Sequence, residues 1–384
     1  MDVQEQRVRF VIEATQRMRP FGELCAAYEI SRPTGYLWLQ RYRYRGVGGI
    51  VEQSRKPHHS PRRTAAELER QVTELRERYP DWGARKLQVL LARAGLPMAR
   101  NTIHRILRRH DLICPAQRVC STGQRFQRGQ PNELWQMDFK GPKGWPPPVG
   151  PLSVLDDHSR YLIALAATGM HGDPVQRQLQ EAFERCGVPQ AMLMDHGTPW
   201  WSTHAQFGRT QLSLWLMRQG IRLYWSGIRH PQTQGKVERF HGSLQRAWER
   251  RGVPTHHRQA WLDAYRWEHN HVRPHEALGM KTPAAIWRPS PRRYDPHPQR
   301  WEYPAGAWVL KLDCQGKLDI GGRKWKVSSS LAGEYVQIVR MEHRMMVFFC
   351  TTLIRELDVE TQRSTIIDRW IPTPSSALPL VKDV

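Results

Sequence analysis

The spacing of apolar positions divides the chain into three regimes. Helical periodicity runs to about residue 113, a mixed strand and helix pattern covers about 133–288, and short alternating runs follow 300. In the first regime Leu24, Tyr28 and Ile30 precede Ser31, whose hydroxyl suits the N-cap of a second helix running through Leu37 and Trp38. Short helices joined this way predict a helix-turn-helix over residues 1–53. Arg32, Thr34 and Tyr36, early in the second helix, are then candidates to face base edges. The alternative is a small helical domain that only packs on the rest of the protein. A basic link, SRKPHHSPRRT from Ser54 to Thr64, leads to a second helical set over 64–113. There Leu68, Val72 and Leu75 recur at helical spacing and WGARKLQVLL gives the next helix. In ARNTIHRILRRH an apolar stripe of Ile103, Ile106 and Leu107 leaves Arg100, His104, Arg105, Arg108 and Arg109 on other faces. This reads as a second helix-turn-helix whose arginines either hold phosphates or form a solvated face.

Residues 114–132 lack periodic apolar positions and read as a basic linker. Beyond it, LWQMDF alternates as a strand with one buried and one polar face, the latter carrying Gln136 and Asp138. A Pro- and Gly-rich loop, KGPKGWPPPVGP, precedes two further strands, LSVLDD and YLIALAAT. A helix over about 173–186 then leads to the strand AMLMD, ending at Asp195. Another helix over roughly 203–219, the strand IRLYWS and a helix carrying Glu238 follow. After the helical tail HRQAWLDAYRWEHNHVRPHEAL and a Pro-rich joint, five short alternating runs between Trp308 and Phe349 predict a small β-barrel over 301–360. The expected fold is therefore multidomain: all-α helix-turn-helix modules, a central α/β core over 133–288 and a C-terminal small β-barrel.

Charge narrows the function. The 384 residues carry a formal net charge of +22, and residues 1–130 hold 25 Lys/Arg against 12 Asp/Glu. More than half of the excess thus lies in the first third, which suits a nucleic-acid-binding arm. Six cysteines without a CxxC pair argue against a zinc ribbon or a disulfide framework and fit a reducing, intracellular setting. The longest strongly apolar run, Tyr161 to Ala167, is too short to span a bilayer, so no membrane partner is expected.

The candidate chemistry lies in three separated carboxylates, Asp138, Asp195 and Glu238, in a basic chain. Such a set suits metal-dependent phosphoryl transfer on a nucleic acid. Hard oxygen ligands favour Mg²⁺, with Mn²⁺ as substitute, as two ions roughly 3.5 to 4 Å apart. Asp195 is followed by Gly197, where the backbone can turn away and leave the carboxylate free. Val237, Phe240, Leu244 and Trp248 would pack the Glu238 helix inward with Glu238 at the stripe's edge. Lys236 and Arg239 on that helix are candidates to hold DNA phosphates, as is Arg246, and His241 to support the active site. At least one of Asp156 and Asp157 is expected to be structural, pairing with Arg160 or capping the turn. Trp200 and Trp201 either stack on frayed bases or pack in the core. The histidines 256, 257, 269, 271 and 275 fit no zinc spacing.

On WQMDF, VLDDHSRYLIAL, MLMDHGTPWW, HPQTQGKVERFHGSL and HNHVRPHEALGMKTP, the chain resembles insertion-sequence transposases of the DDE class, relatives of retroviral integrases. The resemblance is specific over residues 130–290. It implies a ribonuclease H-like core, a metal-binding triad of Asp138, Asp195 and Glu238, and double-stranded DNA partners comprising transposon ends and target. It also implies terminal-repeat recognition, 3′-end cleavage, strand transfer, a homodimer or tetramer, and work in the cytoplasm at the nucleoid. A catalytically silent DNA-binding regulator and a non-specific nuclease are the rivals. The sequence departs from the family in three respects. The Asp195 to Glu238 interval has 42 intervening residues, longer than usual. His196 stands where the family usually has Asn, and no His/Cys zinc module precedes the core.

Overall fold

The computed structural model describes residues 3–51, 63–113, 127–141, 150–202, 208–226, 235–252 and 256–367. Most of the two expected linkers, the Pro-rich loop and the HPQTQ tract lie outside these residues. Contacts divide the chain into two compact units, residues 1–65 and 66–384.

The first unit is α1 (Val3–Gln16), α2 (Phe21–Ala27) and α3 (Arg32–Arg45). Ser31 caps α3 as its residue type predicts, its hydroxyl accepting from the Thr34 N–H at 3.3 Å. Phe10, Leu24, Cys25 and Leu39 form the core. Gly35 lets α3 cross α2 closely, since a Cβ there would meet Cys25 Sγ at 2.8 Å and the Phe10 ring at 2.9 Å.

The second unit opens with α4 (Ala66–Arg78), α5 (Ala84–Arg93) and α6 (Arg100–Arg109), packed through Val72, Trp82, Leu87, Leu91, Ile103 and Ile106. Next come β1 (Trp135–Phe139), β2 (Pro151–Asp156), β3 (Leu162–Ala167), α7 (Gly172–Cys186) and β4 (Ala191–Met194). The hairpin β5 (Trp201–Ser202) and β6 (Gly208–Arg209) leads into α8 (Gln211–Arg218), β7 (Arg222–Trp225), α9 (Gly235–Arg251), α10 (Arg258–His271) and the short α11 (Pro283–Ile286). One mixed sheet has the order β3-β2-β1-β4-β7, with β1, β2 and β3 antiparallel and β4 and β7 parallel to β1. The central strand is covered on both faces. Gln136 is therefore buried with its apolar neighbours, and Asp138 alone in β1 is partly open, a correction to the expected half-polar strand.

The helix expected over 203–219 starts later, at Gln211. A capping box between Thr210 and Ser213 fixes its first turn, and the β5–β6 hairpin takes up part of the chain before it. Helix α10 covers the sheet edge at β3. Asn270 accepts from the Leu162 N–H at 2.8 Å and donates to its carbonyl at 3.0 Å, while Gln259 accepts from the Ala167 N–H and donates to the Leu165 carbonyl. Two side-chain amides thus complete an edge that would otherwise present free backbone groups.

All five short strands expected near the C-terminus form: β8 (Trp308–Lys311), β9 (Lys317–Ile320), β10 (Arg323–Lys326), β11 (Tyr335–Met341) and β12 (Arg344–Phe349). They are joined by β13 (Thr352–Asp358) and β14 (Arg363–Ile366). Among the described residues they pair as a five-stranded antiparallel sheet, β14-β13-β12-β11-β8, and a separate β9–β10 hairpin, without closing into a barrel. Leu318 and Trp325 of the hairpin share a core with Val336, Ile338 and Val347 of the sheet. No helix among the described residues is long and apolar enough to cross a membrane.

Candidate active site

Asp138 lies on β1 beside the end of β4, from which Asp195 projects, and near the first turn of α9, which carries Glu238. Burial, followed by the negative fields of Asp195 and Glu238, pushes the Asp138 carboxyl up to about 7 against a stabilising Phe139 N–H. Asp138 therefore feels two carboxylates that lie far from it in sequence. Glu238 faces solvent, and partial desolvation raises its pKa as well. Among the described residues no three His, Cys, Asp or Glu side chains stand close enough together to hold a metal ion in this structure.

Asp195 is less free than its neighbouring glycine suggests. Its Oδ1 accepts from the Gly197 N–H at 3.0 Å and from the buried Trp200 Nε1 at 2.7 Å. A Cβ at residue 197 would stand 2.9 and 3.0 Å from the two carboxylate oxygens, so glycine there lets the Asp195 carboxylate keep its place. Trp200 also stacks on Phe139, ring centroids 5.6 Å apart, tying the Asp195 loop to β1. Trp201 is buried too, against His196 and Trp225. Both tryptophans belong to the core and are not exposed stacking platforms.

Side-chain contacts dock the start of α9 on the sheet. Gln136 Oε1 accepts from the Val237 N–H at 3.3 Å, and Gln136 Nε2 donates to Asp157 Oδ1 at 2.8 Å. Lys236 Nζ pairs with the same Asp157 oxygen at 2.5 Å and donates to the Asp157 carbonyl. His241 Nε2 meets Ser153 Oγ at 3.1 Å while its Nδ1 stands 3.7 Å from Asp138 Oδ2. Burial, then Lys140, lowers the His241 pKa to about 3, so the imidazole beside Asp138 is neutral at physiological pH. Lys236 is thereby held in an internal pair, in place of the phosphate contact expected of it. Val237, Phe240 and Leu244 are buried as their spacing predicts, and Trp248 is half-buried against Trp261. Gln136 and Ser153 escaped the sequence reading. The one signal for Gln136 is a polar residue two positions before Asp138 on the same strand face.

Asp156 and Asp157 both serve the scaffold. Asp156 accepts from Ser159 N–H and Oγ and from the Asn132 N–H, and burial raises its pKa despite them. Asp157 takes the Arg128 N–H besides Lys236. Arg160 donates to the His158 carbonyl and to Gln127 Oε1, in place of the expected pair with Asp156 or Asp157.

The remaining candidates lie on exposed faces. Arg32 and Tyr36 are exposed on α3, Tyr36 stacking on Phe21, while Thr34 is held by the Ser31 cap. Arg100, His104, Arg105 and Arg108 line the open side of α6, and Arg239 the open side of α9. His269 is buried and His275 half-buried, their rings edge to face at 4.6 Å and burial lowering the pKa of both, whereas His256, His257 and His271 are exposed.

Residues 128–231 and 219–283 match integrase core domain families. The chain has an integrase core. The two matches contain all three carboxylates, and residues 34–107 match a homeodomain-like domain. The insertion element IS407 uncharacterized 31.7 kDa protein of Burkholderia multivorans is 26% identical over 252 residues, covering 61% of this chain and 84% of that protein. Among solved structures, the HTLV-2 integrase catalytic core domain in complex with magnesium is 16% identical, covers 42% of this chain and 99% of its own, and gives a TM-score of 0.34. The simian T-cell lymphotropic virus intasome in complex with PP2A regulatory subunit B56 gamma is 16% identical, covers 72% and 91%, and gives 0.36. With a helix-turn-helix-type DNA-binding domain ahead of its ribonuclease H-like integrase core, the chain resembles DDE-class insertion-sequence transposases.

Proposed function

We propose that this integrase core catalyses DNA transposition: binding of terminal inverted repeats, 3′-end cleavage, and strand transfer into target DNA. The observation that carries the reading is the placement of Asp138 on β1 beside the end of β4 that bears Asp195, with the Glu238 helix docked on the same strands through Val237 and His241. Two aspartates side by side at a strand end, with a glutamate on the helix docked there, supply the hard oxygen donors that a divalent cation takes. Mg²⁺, or Mn²⁺ in its place, would be held by Asp138, the free oxygen of Asp195 and Glu238, two ions per site, and would supply charge neutralisation at the scissile phosphate.

The chain's own groups do the rest. Trp200 and Gly197 orient Asp195, Gln136 and Lys236 fix the start of α9, and His241 stays neutral beside Asp138. Water attacks the phosphodiester at the element's end and frees a 3′-OH. That oxygen then attacks a target phosphorus, one P–O bond forming as another breaks, so no ATP is required. Arg32, Thr34, Tyr36, Arg100, His104, Arg105, Arg108 and Arg239 are the proposed DNA contacts. Joining two ends calls for a dimer or tetramer, working in the cytoplasm at the nucleoid.

The test is strand transfer of a labelled terminal-repeat oligonucleotide with Mg²⁺ or Mn²⁺, comparing wild type with Glu238→Gln. Joined products that vanish in the variant are expected. Wild type that binds the repeat and neither cuts nor joins it would instead mark a silent regulator.

A further inference from the structure

A groove of about 390 Å³ lies where α5 and α6 meet the segment after α10, lined by Arg85, Lys86, Arg100, Asn101, His104 and Glu276. A second opening beside it shares Arg85, Arg100 and Glu276. Three permanent or near-permanent cations thus face one carboxylate, and that carboxylate is already engaged, Arg85 Nη1 standing 3.1 Å from Glu276 Oε2 with both side chains exposed. Lys86 sits deeper and, among the described residues, has no carboxylate within ion-pair distance. Burial, followed by Arg273, lowers its pKa to about 8. An ammonium in that position gains by acquiring an anion.

The backbone adds to the same field. Helices α5 and α6 are each ten residues long, and their N-caps, Gly83 and Ala99, make no side-chain cap. Residues of both first turns, Ala84, Arg85, Arg100 and Asn101, line the groove, where the positive end of a helix dipole favours an anion.

We propose that this groove is a phosphate-binding site that grips the backbone of double-stranded DNA at the junction between the second helical set and the integrase core. Lys86 and Arg85 neutralise a phosphodiester, Asn101 and the helix starts donate to its oxygens, and Glu276 competes for Arg85. The inference deepens the proposed function and rests on its reading that the chain acts on DNA. A phosphate clamp confers no base preference, so its effect is uniform across sequences.

The experiment is fluorescence anisotropy of the full chain with a mixed-sequence 30-bp duplex between 50 and 300 mM salt, for wild type, Lys86→Gln, Arg85→Gln and Glu276→Gln. One lost phosphate contact lowers the salt slope by about 0.9 and weakens binding about fivefold at 0.15 M salt. Both cation variants are expected to show this, with thermal midpoints near wild type, and Glu276→Gln is expected to bind more tightly. Arg85 is exposed, so its variant isolates the effect even if Lys86→Gln alters folding. Wild type that binds the duplex while both cation variants keep its affinity and slope overturns the groove and leaves the proposed function standing. Wild type that binds no duplex overturns both. Inorganic phosphate that raises the thermal midpoint of wild type and not of Lys86→Gln, with duplex binding unchanged, overturns the DNA assignment in favour of a free anion.

Discussion

Replacing Trp200 by Phe removes one hydrogen bond from the candidate site and little else. The indole N–H donates to Asp195 Oδ1 at 2.7 Å, a charge-assisted contact in a buried setting. Such bonds contribute about 1.5–3 kcal/mol. The phenyl ring keeps the stack on Phe139, 13° from parallel, so the loop stays anchored while Asp195 loses one of its two donors. Partners of this kind, orienting a ligand without touching the ion, typically alter metal affinity about 10–100-fold, or about 1.4–2.7 kcal/mol. The assay is isothermal titration of Mn²⁺ into Trp200→Phe, with Trp201→Phe as control because that ring faces His196 and Trp225. The first variant should bind the ion at least tenfold more weakly and join DNA ends more slowly, and the control should match wild type in both. Equal Mn²⁺ affinity in Trp200→Phe and wild type, with both folded, would refute the claim that this indole positions Asp195.

Two further expectations concern the scaffold. Asp81 is buried between Arg251, at 2.5 Å, and Arg273, at 2.9 Å, with Glu268 also on Arg251, joining the second helical set to α9 and the segment after α10. Asp81→Ala leaves two largely buried guanidiniums short of a partner and should cost about 3–5 kcal/mol in denaturant unfolding. Burial raises the Asp81 carboxyl, but Arg273 and Arg251 together carry it below its ordinary value. The unfolded chain therefore binds the proton more readily, and the stabilisation is present above about pH 4 and lost as pH falls through the folded value; acid titration of the Asp81→Ala difference should show it shrinking in that direction. Asn270→Leu strips both bonds from the edge of β3 at Leu162 and should cost about 2–4 kcal/mol, with faster hydrogen exchange at the Leu162 amide. An unchanged Leu162 exchange rate would mean that α10 protects the edge by coverage alone.

What the sequence made legible follows from the range of the forces involved. Ser31 caps α3 through a bond three residues long, and Val237, Phe240 and Leu244 declare the buried face of α9 by spacing alone. The start of α8 obeyed a similarly local rule, the Thr210–Ser213 box, which a reading based on apolar periodicity overlooked. The contacts that arrange the candidate site are of another kind. Gln136 reaches Val237 across 101 residues, His241 reaches Ser153 across 88, and Lys236 reaches the Asp157 carbonyl across 79. No local pattern distinguishes a lysine that will hold a phosphate from one that will neutralise a buried aspartate, because the difference lies in which strand end the helix lands on. That choice is made by the packing of Phe240 and Leu244 against Leu155, Leu162 and Leu165. The apolar stripe, the most readable feature of α9, thereby decides the fate of its charges: it brings Lys236 to Asp157, leaves Glu238 exposed within reach of Asp138's field and leaves Arg239 facing solvent.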